Sequence, residues 1–118
     1  MENEQSLDGL TKMYCQAQIL IAEINKKSPE PILIHNEKSL SNTCVALVHE
    51  SCELQNLTNW KWWKKPKSFD HDFAVEETID LLHFILQLCI ILNLKPEQIV
   101  REFEKKHKIN MERQRNYY

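Results

Sequence analysis

The sequence predicts an all-α protein, a helical bundle of about four helices, from three observations. There is one glycine in 118 residues, the prolines fall between periodic stretches, and apolar residues recur at spacings of three and four. Gly9 alone leaves little material for tight hairpin turns, which argues against a sandwich or barrel. It also leaves no Gly-rich phosphate loop, so a nucleotide would need its phosphates held by metal and basic side chains. With 42% hydrophobic and 27% charged residues the chain has the apolar content to fold, and residues 1–118 read as one domain with a basic C-terminal tail from about 105 to 118.

From about Leu7 to Asn25, Leu10, Met13, Tyr14, Ala17, Leu20, Ile21 and Ile24 mark an amphipathic first helix. Pro29 and Pro31 break it, because each disfavours helical geometry in the preceding residue. Ser39 or Ser41 is the expected cap of a second helix, with Cys44, Leu47, Val48 and Leu54 on its apolar face. Trp60 to Asp72 is basic, carries Pro66 and lacks periodicity, so it reads as a loop. Asp70 or Asp72 then caps a third helix running to about Leu92. From Leu81 onward this helix is apolar nearly all round, which calls for cover on both sides and suggests a homodimer. Pro96 fits the first turn of a fourth helix, with Glu97 at its positive end and Ile99, Val100 and Phe103 continuing the pattern.

A formal charge of -2 disfavours binding to nucleic-acid polymers. The most apolar run, Leu81 to Leu94, is interrupted by His83, Gln87 and Asn93 and falls short of the ~18 residues a membrane span needs. Met1 to Leu10 is polar and has no apolar signal core, so a cytoplasmic location is expected. Cys15, Cys44, Cys52 and Cys89 form no C-x-x-C pair and read as free, mostly buried thiols.

Chemistry concentrates in two acidic pairs. Glu50 and Glu53 are three apart on the second helix, Glu77 and Asp80 three apart on the third, so each pair leaves one helical face. One such pair alone reads as a solvated surface; two pairs on antiparallel neighbours bring four carboxylates into one volume. A hard divalent cation relieves their repulsion, and magnesium prefers carboxylate oxygens while leaving positions for water and substrate phosphates. Such an ion would orient phosphates and activate a water for hydrolysis, without a covalent enzyme intermediate.

Just beyond the first pair, Trp60-Lys61-Trp62-Trp63-Lys64-Lys65 sets three indoles among three ammonium groups. Indoles stack on bases and lysines meet phosphates, so the segment suits a nucleotide; a hydrophobic lid or dimer contact is the alternative. The tail, with Lys105, Lys106, Lys108, Arg113 and Arg115 beside Asn110, Gln114 and Asn116, either folds over a ligand or stays solvated. His83, three after Asp80, opens a di-iron alternative, but the Glu-x-x-His motif is needed on two helices and His49 lies about 100° from Glu50. His83 reads instead as a packed or sugar-facing residue.

Three stretches carry a family likeness. His49 to Leu54 running into Asn59-Trp60-Lys61-Trp62-Trp63-Lys64 resembles the first acidic motif and W-K-x-W-K extension of the dimeric all-α dUTPases, relatives of the MazG-like pyrophosphatases. Glu77 to Phe84 is similar to the second acidic motif with its His-Phe ending. Lys106 to Tyr118 resembles the tail pattern K-N-x-x-N-x-x-R-Q-x-x-G-Y, with His107 in place of its asparagine and Tyr117 in place of its glycine. The resemblance implies metal binding and catalysis by Glu50, Glu53, Glu77 and Asp80, and phosphate contacts from Lys106, Asn110 and Arg113. Gln18 would match the base-reading glutamine, and Asn56 is a second amide able to read uracil. Trp60, Lys61, Trp63, Lys64, His83 and Phe84 complete the expected substrate site.

The expected activity is hydrolysis of dUTP, and of dUDP as a further substrate, to dUMP, with pyrophosphate leaving from dUTP. The expected cofactor is Mg2+, with Mn2+ as a substitute. The competing readings are a MazG-like or dCTP-type pyrophosphatase, and a non-catalytic helical interaction module.

Overall fold

A computed structural model describes residues 8–116. It contains four helices and, among the described residues, no strand: α1 (Gly9–Asn25), α2 (Glu37–Gln55), α3 (His71–Ile91) and α4 (Pro96–Arg115). The expected all-α bundle is what forms. Leu7, where the first helix was expected to open, lies outside the described residues, as do Tyr117 and Tyr118.

Asp8 caps α1, its side chain accepting a 2.7 Å hydrogen bond from the Thr11 amide. Tyr14, Ala17 and Ile21 form its buried stripe. The following linker is held by side chains that replace the missing helical hydrogen bonds. Asn25 donates to the Ile32 carbonyl at 2.9 Å and accepts from the Ile32 amide at 2.8 Å. The His35 amide donates to the Ile91 carbonyl at 2.7 Å, fastening the linker to the end of α3.

The cap of α2 is Asn36, not Ser39 or Ser41. Its side chain accepts from the Ser39 amide at 2.8 Å, so Ser39 is already inside the helix, where its buried hydroxyl accepts from the Leu33 amide. The polar first turn of Glu37 and Lys38 hid this start, since no apolar residue marks it. The buried face is also rotated from the expected one. It carries Ser39 and Thr43, followed by half-buried Ala46, Leu47, Glu50 and Leu54, whereas Cys44 is exposed and Val48 is 61% exposed. A helix facing a charged site buries polar residues, and apolar periodicity does not see them.

Asp70 caps α3 by accepting from the Phe73 amide at 3.0 Å. Leu86, Ile90 and Ile91 are buried, and α3 packs against both α1 and α2. Its end is a Schellman turn: Leu94 donates to the Cys89 carbonyl, Asn93 to Ile90, and Asn93 adopts φ 54°. Asparagine tolerates that left-handed geometry, and Pro96 restarts the chain as α4. The Lys95 amide donates to the Gln98 side chain at 2.9 Å across the start of α4.

The basic segment expected as a tail is a continuation of α4, helical through Arg115. No residue of α4 is buried; Ile99 is half-buried against the core, and Phe103 is 72% exposed. The cysteines also differ from expectation. Cys15, Cys44 and Cys52 are exposed and Cys89 is half-buried, because the small core fills only narrow faces of each helix. No helix among the described residues is long and apolar enough to cross a membrane.

Candidate metal and nucleotide site

Two links fix how α2 and α3 run. Gln87 Nε2 donates to Thr43 Oγ1 at 2.7 Å, and farther along α2 the carboxylates of Glu50 and Glu53 meet that of Glu77, ten residues before Gln87 on α3. Advancing on α2 means retreating on α3, so the two helices are antiparallel. That direction brings the acidic pairs together. One oxygen each from Glu50, Glu53 and Glu77 lies within 4.8 Å of the others.

Glu77 is the innermost of the three, only 7% exposed, and its Oε2 is buried with no hydrogen-bond partner. Burial raises its carboxyl above the ordinary glutamate range. The hydrogen bond with Glu50 and the charges of Glu50, Glu53 and Asp80 push the same way. The same crowding of negative charge is what a bound cation would relieve.

The donor set fits a hard divalent cation. It offers oxygen only, and metal–oxygen bonds of about 2.0–2.1 Å place ligand oxygens up to ~4 Å apart, close to the spread seen here. The orphaned oxygen of Glu77 supplies the unmet demand such an ion satisfies. Asp80 is exposed and stands outside the tight trio, close enough to act on Glu77 electrostatically.

Beside these acids lies a cavity of about 380 Å³. Glu50 and Asp80 line its polar end, α1 contributes Ala17, Leu20, Ile21 and Ile24, and α3 contributes His83, Phe84 and Gln87. A pocket with charged groups at one end and aliphatic and aromatic walls beyond suits an amphiphilic ligand with an anionic head.

The tryptophan segment is ordered by its own hydrogen bonds. Asn59 donates to the Lys67 carbonyl at 2.9 Å and accepts from the Lys67 amide at 3.0 Å, closing the loop. Trp60 Nε1 donates to Asn56 Oδ1 at 3.1 Å, and Trp63 meets Trp60 and Trp62 edge to face, with centroids 6.0 and 4.7 Å apart. The Lys61 ammonium sits 5.4 Å from the Trp60 ring centre. Trp62 is left 84% exposed. Asn56, Trp60, Lys61 and Lys64 share a second concavity of about 210 Å³ with Lys65 and Lys67.

The structure thus gathers Glu50, Asp80, His83 and Phe84 around one cavity and Asn56, Trp60, Lys61 and Lys64 around another. Gln18 lines neither; it borders a separate groove with Ile34 and Ile90. Lys106, Asn110 and Arg113 lie on exposed turns of α4, outside both linings. Among the polar residues lining the first cavity, Gln87 is one the sequence did not single out. Its signal was spacing: Asp80, Phe84 and Gln87 follow one another at four and three along one helix face.

An all-α bundle whose central helices converge three carboxylates beside a nucleotide-sized cavity defines a class of protein suited to a hard metal ion and a phosphorylated ligand. A model of the family described as dUTPase matches residues 9–96, and the chain belongs to this family, the dimeric all-α dUTPases. No curated protein and no solved structure gave a significant match. The matched span takes in both acidic motifs and the tryptophan segment and stops at the first residue of α4.

Proposed function

We propose that the protein is a magnesium-dependent dUTP pyrophosphatase, converting dUTP and water to dUMP and pyrophosphate and accepting dUDP as a further substrate. The observation that carries this reading is the buried, partnerless oxygen of Glu77 beside the oxygens of Glu50 and Glu53. Family membership supports the nucleotide and the reaction.

Glu50, Glu53 and Glu77 would hold the ion, with Asp80 as the adjoining carboxylate. When bound, magnesium supplies charge neutralisation at the phosphates and favours water as the nucleophile; Mn2+ is a substitute with the same oxygen preference. The chain's own contribution is positional. Antiparallel α2 and α3 fix the carboxylates beside the cavity, and Phe84 with the α1 aliphatics forms its apolar wall. Lys61 and Lys64 stand one helical end away on the clamped loop as candidates for phosphate contact, and Trp60 and Trp63 as stacking surfaces. Lys106, Asn110 and Arg113 would join as phosphate contacts by the family resemblance of their motif.

The apolar residues left exposed on α1, α3 and α4, among them Ile19, Ile85 and Phe103, support a homodimer that covers them. Free thiols fit a cytoplasmic enzyme of nucleotide metabolism.

The test is hydrolysis of dUTP, dCTP, dTTP and UTP with and without magnesium, read by pyrophosphate release. Magnesium-dependent turnover with dUTP preferred is the expected result. Preference for dCTP would move the protein to another base within the same chemistry, and inertness toward all four would overturn the proposal.

A further inference from the structure

Gln87 stands in the cavity wall beyond His83 and Phe84, seven residues after Asp80. At 1.5 Å per residue that is ~10 Å along α3, about the reach of a nucleoside from its α-phosphate to the pairing edge of its base. A ligand whose phosphates meet the acidic end would present its sugar near His83 and its base between Phe84 and the aliphatics of α1.

The amide of Gln87 is not free to choose its orientation. Thr43, 3% exposed, donates its hydroxyl proton to the Ser39 carbonyl at 2.8 Å. With its only proton committed, Thr43 Oγ1 can act toward Gln87 only as an acceptor, so Gln87 must turn Nε2 to it, at 2.7 Å. That leaves Oε1 and the second Nε2 hydrogen for a ligand, and Gln87 borders both this cavity and a smaller concavity that it shares with Thr43. An acceptor beside a donor matches the N3–H and a carbonyl of uracil. Cytosine held in the same place would set its bare N3 against Oε1, and could pair there only by sliding along its edge or by the amide turning over and setting two acceptors against each other at Thr43.

We infer that Gln87, locked by Thr43, is a specificity-determining residue that selects uracil over cytosine. The inference rests on the nucleotide reading proposed above. It differs from the resemblance-based expectation for Gln18, which borders another groove.

The experiment compares kcat/KM for dUTP and dCTP, at saturating magnesium, in the unaltered protein and in Gln87→Leu and Thr43→Val, each checked for folding by thermal melt. Gln87→Leu is expected to lower the dUTP to dCTP ratio at least about tenfold, mainly through loss on dUTP. Thr43→Val is expected to lower it by releasing the amide to turn, with gain on dCTP. A structural role for Gln87 would depress both substrates together and leave the ratio unmoved, which overturns the inference alone. If Gln87→Leu does not fold, the Thr43→Val ratio decides by itself. Absence of turnover on every nucleotide in the unaltered protein would overturn both this inference and the proposed function.

Discussion

Replacing Glu53 with glutamine separates the fold from the site. Glu53 is exposed, lies inside α2, and contributes one of the three oxygens gathered within 4.8 Å. Glutamine has nearly the same helix propensity, so metal-free stability is expected to change by no more than about 0.5 kcal/mol. For 118 residues the unfolding entropy near the midpoint is about 0.25 kcal/mol/K, so 1 kcal/mol corresponds to ~4 °C in Tm. Magnesium at a hundred times its Kd contributes about 2.7 kcal/mol, a rise of ~11 °C in the unaltered protein. A hundredfold weaker site in Glu53→Gln would remove most of that rise. Loss of one preorganised charge at the reacting phosphate is worth about 2.7–4 kcal/mol of transition-state stabilisation, or roughly 10²–10³ in turnover. Scanning calorimetry with and without magnesium, paired with pyrophosphate release from dUTP, reads both effects. An undiminished magnesium-induced rise, or turnover within a few-fold of normal, would refute the assignment of Glu53 to the ion.

Glu77 makes the metal-free protein sensitive to pH. Its folded pKa is raised, so its protonated form favours the fold: that stabilisation is full below the ordinary glutamate pKa and is lost as pH rises through Glu77's own raised value. The metal-free Tm should therefore fall across that window, Glu77→Gln should flatten the fall, and magnesium, which displaces the proton, should bind more weakly as pH drops. A pH series of melts checks all three. Asn59→Ala removes both hydrogen bonds that close the tryptophan loop, which is expected to raise KM for dUTP several-fold and shift tryptophan emission to the red while far-ultraviolet dichroism stays constant. An unchanged emission spectrum would mean that the loop keeps its shape without the clamp.

Helix existence was legible because it rests on local physics. Prolines at 29, 31 and 66 fall between helices and Pro96 opens one, and spacings of three and four mark α1, α3 and α4 from their own side chains. The acidic pairs were legible for the same reason, since residues three apart share a helical face in any context. The start of α2 was less so. Asn36, Ser39 and Ser41 all carry capping side chains, and the choice fell to Asn36 because Ser39 is drawn inward to serve the linker at Leu33.

What the sequence alone determined, then, is a set of amphipathic rods, two of them carrying carboxylates on one face, together with membership of a nucleotide-cleaving family through motifs that are contiguous in the chain. Only the tertiary structure decided which groups meet. Antiparallel packing makes Glu77 the buried member of the acidic trio, leaves Asp80 at its edge, puts Gln18 in another groove, and ties Gln87 to Thr43 across 44 residues. Burial and hydrogen-bond partnership depend on distance between helices, and that distance is written in no single stretch of chain.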